Sequence, residues 1–397
     1  MRLLYMLIVS MLLAAPIGFA QREAIAPNVF DVLGEETRIH AFRHMEEYFP
    51  VKTVHRGEDA FAFREDVRPL DVSFEWAGET QTLEHFLEKT TTTALLVIHD
   101  DAIVYEQYWH GNDRDSKATS MSVAKSFVSA LVGFAIADGK IGSVSDPVDR
   151  YVPELEESGY AGVPIEHVLQ MSSGIDFSEV YDDLETDINT LFAGLAQGVA
   201  LKEYRAGLEW QGTSGAVYNY ASIDTSVLAW VVENAVGMPV TQYLEARLWK
   251  PLGMESDALW CTDNYGTEIA FGFLNATARD YAKFGRLYLN RGTWNGEQLL
   301  PASWVERSVT PGKPYLALRD FYSAGWDIGY QYQWWVPAGD DGEFTGIGVW
   351  GQYLYVNPAQ GIVIVKHSVD PGFDTRDMET VAAFRAIAGA VSATEAE

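Results

Sequence analysis

Alternation of apolar and polar positions divides the chain into β-rich ends around a helical middle. Residues 94–98 and 102–108 are two β-rich runs separated by His99-Asp100-Asp101, which predicts a hairpin. Residues 123–137 are apolar or small at most positions and predict a largely buried helix, with Ser120 as its N-cap. Loop signals follow at Asp146-Pro147-Val148 and Tyr151-Val152-Pro153, then a short helix over 165–171 that stops at Ser172-Ser173-Gly174. Helical patterns dominate up to about residue 286, over 225–235 ending near Gly237, over 240–248, and over 278–289 before Asn290 and Arg291-Gly292. β-rich runs return at 330–336, 351–356 and 362–367, with a turn at 357–361 and a final amphipathic helix over 380–391. That order predicts an α/β (α+β) domain over 21–397. One antiparallel sheet, flanked by helices, is built from about 21–160 and 287–397, with a mostly helical region over about 161–286 inserted.

The first twenty residues stand apart. Arg2 gives a charged start, residues 3–13 an apolar run, and Gly18-Phe19-Ala20 the small residues before a cleavage point. These features predict a signal peptide cut after Ala20 and a periplasmic or secreted product. The apolar run is short for a membrane span, and no later stretch is long and apolar enough, so no stable span is expected after cleavage. One cysteine, Cys261, excludes an intramolecular disulfide, so stability has to come from packing, for which 397 residues at 48% hydrophobic content suffice. A formal charge of −28 without Lys/Arg runs excludes nucleic acid and anionic membranes as partners. The acidity reads as a solvated surface, with steering of amine-bearing substrates as the alternative.

One charge interrupts the predicted buried helix. Lys125 lies three residues after Ser122, so the two side chains share a helix face. Burial disfavours the charged form of lysine, and a lysine of lowered pKa beside a serine activates the hydroxyl as a nucleophile. Ser122 would also sit in the first turn, where free N–H groups favour an oxyanion. The alternative is a helix start whose lysine runs its stem out to solvent.

Two further segments supply what a Ser/Lys nucleophile needs. In Tyr218-Asn219-Tyr220-Ala221-Ser222, a tyrosine near the lysine could relay a proton to the leaving group, and Ser222 could join the same network. Tyr218 and Tyr220 could equally be loop aromatics that cap a core. In Gly346-Ile347-Gly348-Val349-Trp350, the glycines would let a substrate carbonyl approach the strand, with the Val349 N–H as oxyanion donor. A bulge or turn is the other reading. Trp334, Trp335, Trp350 and Tyr353 could line an apolar acyl pocket, and Glu179, Asp182, Asp183, Glu185 and Asp187 could attract an amine. Core packing and solvation are the plainer readings of these two sets.

Ser122-Val-Ala-Lys125, Tyr220-Ala-Ser222 and the glycines of Gly346 to Gly348 resemble, in order and separation, the three motifs of the class C β-lactamase and penicillin-binding-protein superfamily. His167-Val-Leu-Gln-Met-Ser-Ser-Gly174, Pro251-Leu-Gly-Met254 and the segment from Ala278 to Leu287 are similar to common segments of that superfamily. Tyr220 to Trp230 and Gly346 to Gln352 most resemble 6-aminohexanoate-dimer hydrolases and related carboxylesterases. The resemblance implies a β-lactamase/transpeptidase-like fold and a serine hydrolase acting on a small ester or amide without cofactor or metal. It implies Ser122 as acyl-forming nucleophile, Lys125 as proton acceptor, Tyr220 as acid/base and the Ser122 and Val349 amides as oxyanion hole. Ser222, Gly346, Gly348 and Trp350 would support the substrate.

The chain also departs from the lactamase pattern. Ser222 stands where an asparagine would, and the third motif has no lysine to pair with a substrate carboxylate. Both departures favour esters or short amides over β-lactamase or D,D-peptidase activity. A non-catalytic module that holds a peptidoglycan fragment is the rival class. No Gly-x-Ser-x-Gly elbow and no His-Glu-x-x-His appear, and His40, His44, His99, His110 and His167 read as surface or packing residues. Oligomeric state is not legible.

Overall fold

A computed structural model describes residues 29–317 and 327–393. The proposed leader, residues 1–20, lies outside the described residues. The central sheet is built from β1 (Arg64–Glu65), β2 (Thr92–His99), β3 (Ala102–Tyr108), β4 (Ile328–Gln331), β5 (Trp334–Pro337), β6 (Phe344–Gly348), β7 (Gln352–Asn357) and β8 (Ile362–Ser368). Their spatial order is β4-β5-β6-β7-β8-β2-β3-β1, so the last strands of the chain close directly onto the first hairpin. All neighbours pair antiparallel except the two-residue edge β1, which runs parallel to β3 and makes the sheet mixed.

Both faces of this sheet are covered, which is why its central strands read as unbroken apolar runs. Leu96, Ile98, Val363 and Val365 point into one core, where helices α1 (Ala124–Ala137) and α3 (Ala278–Leu289) bring Phe127 and Phe284 into a stacked pair at 3.8 Å. Leu95, Val97, Ile362 and Ile364 point to the other face, against Phe86 and against Phe384 of α4 (Asp377–Ala393). Helix α2 (Ser222–Val236) lies within the first core and ends where Gly237 adopts φ 74°, a left-handed C-cap.

The structure corrects the pattern at four places. Residues 330–336 are not one strand: Tyr332 and Gln333 take φ of 41° and 67° and turn β4 back into β5. Hydrogen bonds hold that turn. The Ser126 hydroxyl donates to the Gln333 carbonyl, the Thr225 hydroxyl to its side-chain oxygen, and the Gln333 amide donates to Leu169 O. The helical middle is also interrupted by strands Ala258–Cys261 and Leu274–Ala276, which join Val51–Val54 and Ala118–Thr119 in a second sheet. Over 240–248 the helix is α only for Val240–Leu244 and continues as a π turn over Glu245–Trp249. Finally, α1 opens with the 3-10 turn Met121–Val123, and Ser120 makes no side-chain cap. Its hydroxyl instead donates to Met121 O and accepts the Leu274 N–H, because the second sheet leaves that amide beside it.

Candidate active site

Ser122 stands on the 3-10 turn that joins the second sheet to α1. Met121, just before it, is held at φ 42°, a left-handed conformation that a branchless but bulky side chain rarely adopts. The strain is fixed from both sides, by Ser120 N–H donating to Leu274 O at 2.7 Å and by β6 packing underneath. A Cβ on Gly348 would meet Ser120 O at 2.5 Å and the Ser122 backbone nitrogen at 3.0 Å. One on Gly346 would meet Val123 Cγ1 at 3.1 Å. The glycines therefore admit the nucleophile's own turn, whereas the sequence suggested that they make room for substrate. The consequence for the oxyanion hole is direct: the strand preceding Val349 lies in contact with the Ser122 amide, and both residues line one pocket.

Lys125 is 1% exposed. Its ammonium donates to Ser122 Oγ at 2.7 Å and to Phe271 O at 2.9 Å, and lies 5.0 Å from the centroid of the Tyr220 ring. Desolvation lowers its pKa to about 8, opposed by the Glu179 carboxylate. A substantial neutral fraction at mildly alkaline pH follows, as a proton acceptor requires. Tyr220 reaches the site from the loop before α2. It stacks on Trp335 at 5.7 Å and meets Tyr330 edge-on at 6.2 Å. The loop itself is tied down by Asn219 N–H to Met171 O and by the Asn219 amide to Phe177 O. Tyr218 does pack as a core aromatic, against Tyr330 and Trp335.

Ser222 is the first residue of α2, buried, and bound twice to Glu179: its N–H and its hydroxyl donate to the two carboxylate oxygens at 2.6 and 2.7 Å. Tyr181 donates to the same carboxylate. Glu179 thus leaves the acidic run and joins the site, favoured there by the helix N-terminus. Asp187 instead accepts from the backbone and hydroxyl of Ser178, while Asp182, Asp183 and Glu185 are exposed.

The pocket above Ser122 encloses about 730 Å³ with its open mouth included. Its walls are mainly apolar: Leu33, Ile188, Phe192, Phe273, Trp350 and Phe373. Of the aromatic set singled out from sequence, Trp350 lines it and Trp335 backs Tyr220. Trp334 is buried against Phe284 and Tyr288, and Tyr353 against Phe384 on the opposite face of the sheet, because alternation along a strand sends neighbours to different sides. Sequence reading missed Leu33 and the phenylalanines, which carry no motif, and the Phe271 carbonyl, since a backbone ligand leaves no residue signal.

Known proteins share this sequence pattern and this fold. The beta-lactamase family's sequence model matches residues 80–386. The 6-aminohexanoate-dimer hydrolase of Paenarthrobacter ureafaciens is 35% identical over 345 residues, 85% of this chain and 86% of that one. Esterase EstB of Burkholderia gladioli is 28% identical over 150 residues, 34% of this chain and 36% of that one. Among solved structures, a Bacillus anthracis protein with the provisional description 6-aminohexanoate-dimer hydrolase superposes with a TM-score of 0.82 at 24% identity, over 94% of this chain and 99% of that one. With a matched region that spans most of its length, the chain belongs to the beta-lactamase family of serine hydrolases, as a relative of 6-aminohexanoate-dimer hydrolase.

Proposed function

We propose that the protein is an exported serine hydrolase that cleaves small esters or amides through an acyl-enzyme on Ser122. The observation that carries this reading is the 2.7 Å contact between Nζ of the buried Lys125 and Oγ of Ser122, which itself lines a mainly apolar pocket. Neutral Lys125 takes the hydroxyl proton as Ser122 Oγ attacks the carbonyl carbon, and the Ser122 and Val349 amides hold the oxyanion. Tyr220 passes a proton to the departing alkoxide or amine. Water then attacks the acyl-enzyme, gives its proton to the same relay, and Ser122 leaves with a proton restored.

The reaction class, carboxylesterase or 6-aminohexanoate-oligomer amidase, is supported by the likeness to the 6-aminohexanoate-dimer hydrolase of Paenarthrobacter and by the missing third-motif lysine. Export follows from the charged start and apolar run of residues 1–20. Hydrolysis of p-nitrophenyl butyrate, with labelling by a fluorophosphonate, tests the reading. Both are expected in the wild type and absent in Ser122→Ala; turnover by the purified Ser122→Ala protein contradicts the assignment. A panel of short-chain esters, 6-aminohexanoate dimer, D-amino-acid amides and nitrocefin then ranks the substrate classes.

A further inference from the structure

Each proposed oxyanion donor sits beside a left-handed residue that is not glycine. Met121 precedes Ser122, and Trp350, at φ 67°, follows Val349 in the turn over 349–351 between β6 and β7. Gly351 continues the turn at φ 83°. A bulky residue in that region persists only where its surroundings hold it. Here the hold comes from β7, from β8 and from the loop after β8. Trp350 O accepts the Asp370 N–H at 3.1 Å and the Gln352 side-chain amide at 3.3 Å, and Gly351 O accepts the Ser368 hydroxyl at 2.7 Å. Lys366 in turn donates to the Ser368 oxygen, which leaves the hydroxyl proton directed at Gly351. A Cβ on Gly351 would meet Ser368 Oγ at 2.7 Å and Lys366 Nζ at 3.5 Å, so the pair lies directly against the turn.

Lys366 is 1% exposed, with its ammonium 5.5 Å and 5.8 Å from the ring centroids of Phe86 and Tyr353. Desolvation lowers its pKa to about 7, with Asp370 and Asp377 opposing and Arg376 reinforcing. Both carboxylates are engaged elsewhere, Asp370 by Arg376 and Asp377 by the Tyr353 hydroxyl. An apolar side chain of similar length would fill the place without desolvating an amine, so fold stability gives no reason for a lysine. We propose that Lys366 and Ser368 are positioning residues for the oxyanion hole, which hold the 349–351 turn so that the Val349 amide faces the reacting carbonyl. The proposal rests on the serine-hydrolase reading above. Neither residue lines the pocket, so both act through the turn.

Two substrates that differ at one atom test this: p-nitrophenyl butyrate and its thiono analogue, in which sulfur replaces the carbonyl oxygen and accepts oxyanion-hole hydrogen bonds poorly. In Ser368→Ala and in Lys366→Met, kcat for the oxygen ester is expected to fall by about tenfold to a hundredfold with KM little changed. The thiono ester should lose less, so the ratio between the two narrows. The double variant should lose no more than Ser368→Ala alone, because the pair acts through one contact. Lys366→Met should melt no lower than the wild type, since it removes a buried amine. An unchanged kcat, an equal loss on both esters, or a loss that only follows the melting curve overturns the proposal. Hydrogen exchange separates this from failure of the catalytic reading. In both single variants the peptide over residues 348–353 should exchange faster, while peptides from β2 and α1 keep their protection. Faster exchange confined to the turn supports the anchor even if no ester is turned over; unchanged protection in the turn overturns it.

Discussion

The Glu179 carboxylate grips Ser222 twice, at the backbone N–H and at the hydroxyl, and the same charge raises the pKa of Lys125 against the desolvation that lowers it. The acid that fixes the start of α2 therefore also sets how readily the general base gives up its proton. In Glu179→Gln the side-chain shape is kept, one acceptor oxygen becomes an N–H donor that the Ser222 hydroxyl can turn to accept, and the charge is lost, so Lys125 deprotonates more easily. The rising limb of kcat/KM, expected near pH 8 in the wild type, shifts to lower pH in the variant. A limb that stays in place or moves up contradicts this; a pH series with one neutral ester decides it.

Burial of Lys125 has a stability consequence of definite sign. Its folded pKa of about 8 lies below the ordinary 10.5, so between those values the unfolded chain binds more protons and stability rises with pH. Below pH 8 the desolvation cost is fully present, about 3 kcal/mol at most. Lys125→Met is isosteric in length and removes the charge. Its denaturant midpoint is expected to lack the gain from pH 8 to 10 that the wild type shows, while ester hydrolysis falls by about a thousandfold. Paired unfolding curves at the two pH values check the first part, and initial rates the second.

The two glycines of β6 differ in what they touch, and that difference is measurable. Gly348 meets backbone atoms on both sides of Met121, which have nowhere to go, whereas Gly346 meets a Val123 methyl and the Ser126 hydroxyl, at 3.1 and 3.3 Å. Gly348→Ala is expected to displace the Ser122 amide and lower kcat by about a hundredfold, with a loss of about 1–3 kcal/mol. Gly346→Ala should cost less than tenfold. Equal effects in both variants would show that the approach of β6 to the nucleophile is not the reason for the glycines.

Much of this architecture is legible in the residues, and the parts that are not share a cause. The buried Lys125 stands out because a charge breaks an apolar helix, and Gly237 marks the end of α2 because only a left-handed cap needs it there. Tyr332 and Gln333 hide a reversal inside a β-rich run because their conformation is held by Ser126, Thr225 and Leu169, which no local pattern reveals. Glu179 was legible as an acid but not as a ligand of Ser222, since its partner lies 43 positions away. The contribution of Leu33 to the pocket depends wholly on tertiary packing, and it belongs to no motif.

Gln333 makes the last of these points testable. Its side chain accepts from Thr225 on α2 and donates to Leu169 O, while its carbonyl receives the hydroxyl of Ser126, one residue past Lys125 on α1. One left-handed residue thus joins the helix of the nucleophile to the helix that follows Tyr220. Gln333→Ala keeps the carbonyl contact but strands two buried partners, at a cost of about 2–3 kcal/mol. If the brace only stabilises the fold, kcat below the melting transition is unchanged. If it sets the distance between α1 and α2, kcat falls with KM little altered, because Tyr220 no longer meets Lys125 in register. We expect the second result, and Thr225→Val, which removes only the α2 contact, should reproduce most of it.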